Sequence, residues 1–330
     1  MRKLTQLPLG TYVGLLSQII ALIANLSDSP YMTYAIWGAG IGTLLIAVDF
    51  ARFTGPLQYV AAYIGYPLLM LSLPHPWPDK ISYGVPAGIL FAMALTLRQQ
   101  YMYFFTYIRY LWLESVLIVI GILLLVQMGR QTQMPWPAFL AALPGAALAF
   151  GYSQDGIFIR KAVRSDKPPT LKVGDLAPDF ALPDPEGKIH RLSDYRDRNP
   201  VLLLFVRGDW CPACHMTLRV YGRYKQKFIE KDVVIFAISP DPPTVHKDMV
   251  ERIHASIQVL SDKDHHVTNL YGSLYHNPFL QKTVAGYDTG ITIPAAYLID
   301  KRGIIRYISN PEYVGEYLDP TTILPALDQV

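Results

Sequence analysis

The sequence predicts two domains of different class. An all-α transmembrane bundle covers residues 1–152, and an α/β domain with a mixed central sheet and helices on both faces covers 172–330, with a linker at 153–171. Three observations carry this reading. Residues 1–150 hold only eleven charged side chains, whereas residues 151–330 hold 22 basic and 22 acidic ones. The first half is a series of long apolar runs. The second half alternates short strand-like and longer helix-like runs.

A hydrocarbon core of ~30 Å needs about 20 mostly apolar residues as helix. Runs of that kind fall at about 9–27, 30–50, 56–73, 81–97, 111–128 and 135–152, which gives six expected spans. The first follows Met1-Arg2-Lys3 as in a signal peptide, but no A-x-A site follows and further spans do, so it reads as a retained anchor. Arg109 and Glu114 are read as the only charges lying within a span, and the aromatic residues around Arg109 suit a membrane–water interface. This half contains one histidine, His75, and no cysteine, so it cannot relay electrons by thiol chemistry.

The short loops set the orientation. With the N-terminus inside, the cytoplasmic side collects Arg2, Lys3, Arg52, Arg98 and the cluster Arg160, Lys161, Arg164 and Lys167. The other side collects Lys80 and Arg130. The expectation is a multi-pass protein of a prokaryotic inner membrane with residues 153–330 in the cytoplasm. The balanced charge of the second half lacks the clustered basic residues that nucleic acid requires.

In that half, "PVLLLFV" (200–206) is a short, wholly apolar run, as in a buried parallel strand. A helix is expected from Cys211 to about Lys231, then a strand at 233–239, a helix at 244–255 and a strand at 257–262. A hairpin is expected at 295–300 and 304–309, and a closing helix at 320–329. The other histidines and the segment 276–288 read as loop or surface.

Both cysteines lie in "DWCPACH" (209–215). Cys211 follows the first strand by the turn Arg207-Gly208-Asp209-Trp210, and Pro212 falls in the first helical turn, where proline is welcome. Free N–H groups and the dipole at a helix start favour an anion and hence a Cys211 thiolate. Arg207 adds to this and Asp209 opposes it. Cys214, three residues on, lies on the same face and one turn deeper. The expectation is an exposed attacking thiol, Cys211, and a shielded resolving thiol, Cys214.

The stretch "VGDLAPDFALPDPEGKIHRLSDYRDRNPVLLLFVRGDWCPACHMTLRVY", with "ISPDPP" (238–243), "ITIPAAYLIDKRGIIRYI" (291–308) and "YLDPTTILPAL" (317–327), resembles the redoxin branch of the thioredoxin superfamily. Within it, the resemblance is to peroxiredoxin-like proteins related to alkyl hydroperoxide reductase/thiol-specific antioxidant, over about 172–328. It implies a thioredoxin-like fold, a redox disulfide between Cys211 and Cys214, and Trp210, Pro212, Pro294 and Arg207 as supporting site residues. It also implies a cis Ile293–Pro294 peptide beside the cysteines, and no cofactor or metal.

Two departures bear on the chemistry. The Pro and Thr positions of the peroxiredoxin P-x-x-x-T-x-x-C pocket hold Leu204 and Gly208, and the later active-site arginine falls on Pro294. Both favour thiol–disulfide exchange with a protein or small thiol over reduction of a hydroperoxide. Phe205 stands where thioredoxins carry a buried acid, so no proton acceptor for Cys214 is identified. Three alternatives stay open: C-x-x-C-H haem attachment through His215, a zinc site completed by His265, His266 or His276, and a redox-gated membrane sensor or transporter.

Overall fold

The computed structural model describes residues 7–104, 112–130, 135–147, 150, 171–278, 281–309 and 320–330. Arg109, the basic cluster 160–167 and nearly all of the linker lie outside these residues. The chain divides into two compact units, one formed mostly before residue 155 and one mostly after it.

The first unit is helical. It contains α1 (Leu9–Leu26), α2 (Met32–Phe53) and α3 (Pro56–Ser72). Next comes α4, in which Trp77–Asp79 passes through a π-turn at Lys80–Gly84 into Val85–Phe104. It is followed by α5 (Trp112–Gly129) and α6 (Trp136–Ala147). Among the described residues, three stretches, Leu9–Leu26, Met32–Phe53 and Trp77–Leu97, are long and apolar enough to cross a membrane.

The side chains of α1 are arranged inside out relative to a soluble helix. Its buried stripe is Thr11, Gly14, Gln18, Ala21 and Ala24, whereas Tyr12, Leu16, Ile19, Ile20 and Ile23 are exposed. Small residues at the contact let backbones approach. A Cβ on Gly14 would lie 2.4 Å from the Gly42 carbonyl oxygen, and one on Gly42 would lie 2.0 Å from Ser17 Oγ. Gln18 Nε2 donates to Thr43 Oγ1 across the same contact at 2.7 Å.

Charge placement in this unit differs from the sequence expectation. Glu114 is buried in the first turn of α5, but it is not alone. Asp49 is buried inside α2, where its Oδ2 accepts from Thr11 N–H at 2.6 Å and Thr11 Oγ1 at 3.0 Å, in the first turn of α1. Buried Lys80 donates to Asn25 Oδ1 at 2.8 Å in the last turn of α1 and lies 4.6 Å from the Trp77 ring. An anion at the positive end of a helix and a cation at the negative end are the stabilising arrangement.

The second unit is built on a five-stranded sheet of order β5-β4-β3-β8-β9. The strands are β3 (Val201–Phe205), β4 (Val234–Ser239), β5 (Gln258–Ser261), β8 (Ala295–Ile299) and β9 (Ile305–Ile308). β3, β4 and β5 are parallel, while β8 runs antiparallel to both β3 and β9. The expected strands and hairpin are all present. Two small pairs are additional: β1 (Ala181–Pro183) with β2 (Ile189–Arg191), and β6 (Leu274–Tyr275) with β7 (Ile291–Thr292).

Strand residues alternate between two cores. Leu202 and Leu204 face α7 (Pro212–Ile229), α8 (Pro243–Ile253) and the C-terminal turns at Pro320–Ile323 and Leu324–Gln329. Val201, Leu203 and Phe205 face the N-terminal hairpin, Phe180, and Val267 of the short α9 (His266–Leu270). Every β3 side chain is buried, which explains why its sequence shows no alternation of polarity.

Replacing Asp49 by Leu removes the acceptor of the Thr11 amide and hydroxyl. The expected loss is about 1–3 kcal/mol, because a buried donor is left unsatisfied. Thermal unfolding of the chain in mild detergent, with exposed Val48→Ala as control, checks this. Equal stability of the Asp49→Leu and control proteins would remove the capping role.

Candidate active site

β3 ends at Phe205, and the next six residues turn the chain into α7. Cys211 is the N-cap, in extended conformation (φ −102°, ψ 104°), and Pro212 takes the first helical position. Cys211 N–H donates to the Gly208 carbonyl at 3.2 Å, and the Cys214 and His215 amides donate to the Cys211 carbonyl at 2.9 and 3.4 Å. The two cysteines are thus fixed on the first turn of one helix, and both are free thiols.

Both are also buried. The expected exposed attacking thiol is not found: Cys211 is 2% exposed and Cys214 fully buried. Both thiols pack into the core beneath α7, with Trp210 and Ala213 against the same cluster. Burial first, and the neighbouring Cys211 thiol second, push the Cys214 thiol well above its ordinary range. Arg207 opposes this through its charge and through its N–H, which donates to Cys214 Sγ at 3.3 Å. The buried Arg207 side chain therefore acts on Cys214, not only on Cys211 as the sequence reading had it.

Two carboxylates hold the turn. Asp209 does not stand as a free charge against Cys211. Arg252 of α8 donates through one Nη to both of its oxygens, at 2.5 and 2.7 Å, and His215 Nε2 lies 3.0 Å from Oδ1. These partners outweigh burial and hold the Asp209 carboxyl below the usual carboxylate range. Asp209 N–H in turn donates to Asp241 Oδ2 at 2.7 Å, and Tyr287 Oη donates to Asp241 Oδ1 at 2.5 Å. Tyr287 Oη also lies 3.2 Å from the Arg207 carbonyl oxygen. Burial raises the Asp241 carboxyl against the pull of Tyr287 and the Asp209 amide.

Gly208 is required by this pair. Its φ of +130° suits glycine, and a Cβ there would lie 2.2 Å from Tyr287 Oη and 2.7 Å from Asp241 Oδ2. The space that the peroxiredoxin threonine would need is filled by the tyrosine–aspartate contact. His265 fixes Tyr287 from behind, its ring edge-on at 5.5 Å and its Nδ1 2.6 Å from Thr289 Oγ1.

Several histidine expectations are overturned. His215 is fully buried against Asp209, not on the helix surface, and His190, His246 and His265 are also buried. The contact with Asp209 takes the His215 nitrogen that C-x-x-C-H haem ligation would call upon. Among the described residues, no group of three or more His, Cys, Asp or Glu side chains is placed to hold a metal ion. In segment 276–288, read as loop or surface, a π-turn at Gln281–Ala285 precedes Tyr287, and Ala285 and Tyr287 pack with Trp210 against Tyr275, Ile291 and Ile293.

That cluster brings Ile293, and with it Pro294, beside Trp210. The Ile293–Pro294 peptide is trans, as are all described peptide bonds, contrary to the cis bond implied by the resemblance. Trans is the lower-energy isomer of an X–Pro bond.

Residues 173–308 match the AhpC/TSA family. They form an AhpC/TSA redoxin domain. The chain is 29% identical over 139 residues to the thiol-disulfide oxidoreductase ResA of Geobacillus thermodenitrificans, covering 42% of this chain and 69% of that protein. It is 29% identical over 138 residues to peroxiredoxin Bcp of Escherichia coli K12, covering 42% and 85%. Among solved structures, peroxidoxin BcpB of Mycobacterium tuberculosis aligns with 22% identity and a TM-score of 0.42, over 48% of this chain and 98% of that one. The relatives of this redoxin domain carry oxidoreductase names from both thiol–disulfide and peroxide chemistry.

Buried His246, on α8, gives the redoxin domain a predictable pH dependence. Burial lowers its imidazole from 6.5 to about 4, partly offset by the Asp209 charge. The unfolded chain therefore takes up the proton first, so the stability contributed by neutral His246 is lost as pH falls from 6.5 towards 4. The loss approaches about 3 kcal/mol. Denaturant unfolding of reduced chain across this range should show the slope, and His246→Leu should reduce it by about one proton. An unchanged slope in the variant would mean that the imidazole titrates alike in both states.

Proposed function

We propose that the protein is a membrane-anchored thiol–disulfide oxidoreductase in which Cys211 is the nucleophile and Cys214 the resolving thiol. The observation that carries this is the pair on one helical turn at the start of α7, with the second thiol fully buried and raised first by that burial and then by Cys211. In the reductive direction the Cys211 thiolate attacks a substrate disulfide, forming a mixed disulfide and releasing one substrate thiolate, which takes up a proton. Cys214, deprotonated, then attacks Cys211 Sγ, forming the Cys211–Cys214 disulfide and releasing the second substrate thiol. Two electrons pass to the substrate. The Arg207 N–H and guanidinium favour the Cys214 thiolate needed in the second step. Trp210, Pro212 and Pro294 line or shape the same turn.

Thiol peroxidase activity is a second reading, favoured by the peroxiredoxin relatives. The occupied space at Gly208 argues for the first. Cys214→Ser should accumulate mixed disulfides through Cys211, and Cys211→Ser should lose both these adducts and disulfide reductase activity. Full activity of the Cys211→Ser protein would overturn the assignment. Reduced protein mixed with hydrogen peroxide should react no faster than about tenfold above a free thiol of similar thiolate fraction. A much faster reaction, followed by Trp fluorescence in stopped flow, would put the peroxidase reading first.

The anchor in this proposal is residues 1–152 as six spans, with the domain 172–330 on the cytoplasmic side. The outward-facing large apolar residues of α1 and the basic bias of the loops support it. A C-terminal alkaline phosphatase fusion should be inactive and a C-terminal fluorescent-protein fusion bright. The reverse pattern would place the redoxin domain outside, where disulfides persist.

A further inference from the structure

The end of the redoxin sheet farthest from the cysteines carries an exposed apolar and basic face that the thiol chemistry does not use. In the antiparallel pair of β3 and β8, Phe205 lies opposite Ala295 at the cysteine end and Val201 opposite Ile299 at the other. The turn 300–303 therefore belongs to the far end. Segment 172–177 runs along it: Gly174 N–H donates to the Ile305 carbonyl and Ala177 N–H to the Gly303 carbonyl, both at 2.8 Å. Asp197 N–H donates to the Lys301 carbonyl at 2.7 Å, which adds the turn 196–198 to the same face. A Cβ on Gly303 would touch Leu176 Cδ1 at 3.3 Å and Arg196 Nε at 3.2 Å, so these two side chains flank it.

Val173 is 60% exposed and Leu176 57%. Around them, Lys172, Arg196, Arg198, Lys301 and Arg302 are exposed. The acidic side chains at this end are exposed Asp197 and Asp232 and half-buried Asp175; Asp300 is buried between Arg306 at 2.7 Å and Arg302 at 3.6 Å. Five cations against three open carboxylates leave this face net positive, although the domain 172–330 as a whole carries 18 basic and 20 acidic side chains.

We propose that this face docks on the anionic headgroups of a phospholipid bilayer, with Val173 and Leu176 entering the interface and the five basic side chains meeting lipid phosphates. The inference rests on the membrane reading of residues 1–152 and not on the thiol chemistry. Charge complementarity argues for lipid, and so does chain length. The 19 residues 153–171 reach at most about 65 Å even fully extended, so the domain stays within range of the bilayer. Docking by this face leaves Cys211, at the opposite end of β3, directed away from the lipid.

The test uses the full chain in nanodiscs of phosphatidylcholine, with or without phosphatidylglycerol. Acetylation of individual lysines is followed by mass spectrometry, and disulfide exchange is measured on the same discs. In phosphatidylglycerol discs Lys172 and Lys301 should be modified about tenfold more slowly, the change expected for a face covered about nine-tenths of the time. Exposed Lys247 on α8 should be unaffected, and high salt should restore the rates. Val173→Ser with Leu176→Ser, or Arg302→Glu with Arg198→Glu, should restore Lys172 and Lys301 modification without altering exchange. Equal rates in the two lipids would overturn the proposal. So would protection that requires two copies per disc, which would assign the face to a second copy of the chain. A chain that does not enter discs would remove the membrane reading and this proposal together, whereas loss of exchange with protection intact would count against the thiol reading alone.

Discussion

The geometry of the cysteine turn depends on one buried carboxylate. Asp241, at the end of β4, accepts from the Asp209 amide and from Tyr287 Oη, and so ties together three segments distant in sequence. Its backbone is held in turn, because Ser261 Oγ of β5 donates to the Asp241 carbonyl at 2.6 Å. Buried polar groups must find partners, so the loop 207–210 has little freedom once Asp241 is placed. The left-handed Gly208, the Asp209 amide and the Arg207 carbonyl each occupy the position that Asp241 or Tyr287 dictates. Cys211 follows as the N-cap of α7 because the loop delivers it there.

The second carboxylate of the turn carries a different load. Asp209 receives Arg252 and His215, joining α8 to the first turn of α7 above the sheet. A buried ion pair is weak evidence for stability, since desolvation offsets much of the attraction, but breaking one leaves an uncompensated charge. Its contribution here is registry: it fixes the entry of α7 relative to α8 and leaves the Arg207 guanidinium as the cation acting on Cys214. The sequence reading assigned Asp209 the opposite effect because it weighed the charge without its partners.

What was legible in the sequence follows from period and punctuation. Buried parallel strands such as β3 and β4 appear as unbroken apolar runs, and the strand–turn–Cys–Pro order placed the helix start correctly. The burial of His246 overturned its expected loop or surface position, yet it was legible in the period, because His246 recurs with Met249 and Ile253 at i, i+3 and i+7 on one face of α8. His215 was not. It lies in a stretch, Cys214 to Leu218, that is buried on every side, so no periodicity distinguishes it from its neighbours. Tyr287 was hidden for another reason: it reaches the site from a loop 76 residues after Cys211, and nothing local marks a loop tyrosine as a partner of Asp241.

The helical half shows the reverse arrangement, the one that a hydrocarbon solvent would favour. In water a helix buries its large apolar side chains, whereas α1 exposes them and buries glycine, threonine and glutamine. In hydrocarbon there is no gain from hiding leucine, and close backbone approach and hydrogen bonds between helices, as found at Gly14, Gly42 and Gln18, are what would hold such a bundle. That accounts for Asp49 and Lys80 without assigning them a transport role, because each lies where the end of the α1 dipole stabilises its charge. Residues 1–152 contain no cysteine, so in the proposed Cys211–Cys214 couple no thiol of that half would relay electrons, and a thiol donor would approach the redoxin domain directly. A cysteine turn at one end of β3 and a lipid-facing surface at the other would keep that approach open to a water-soluble thiol protein while the domain stays at the membrane.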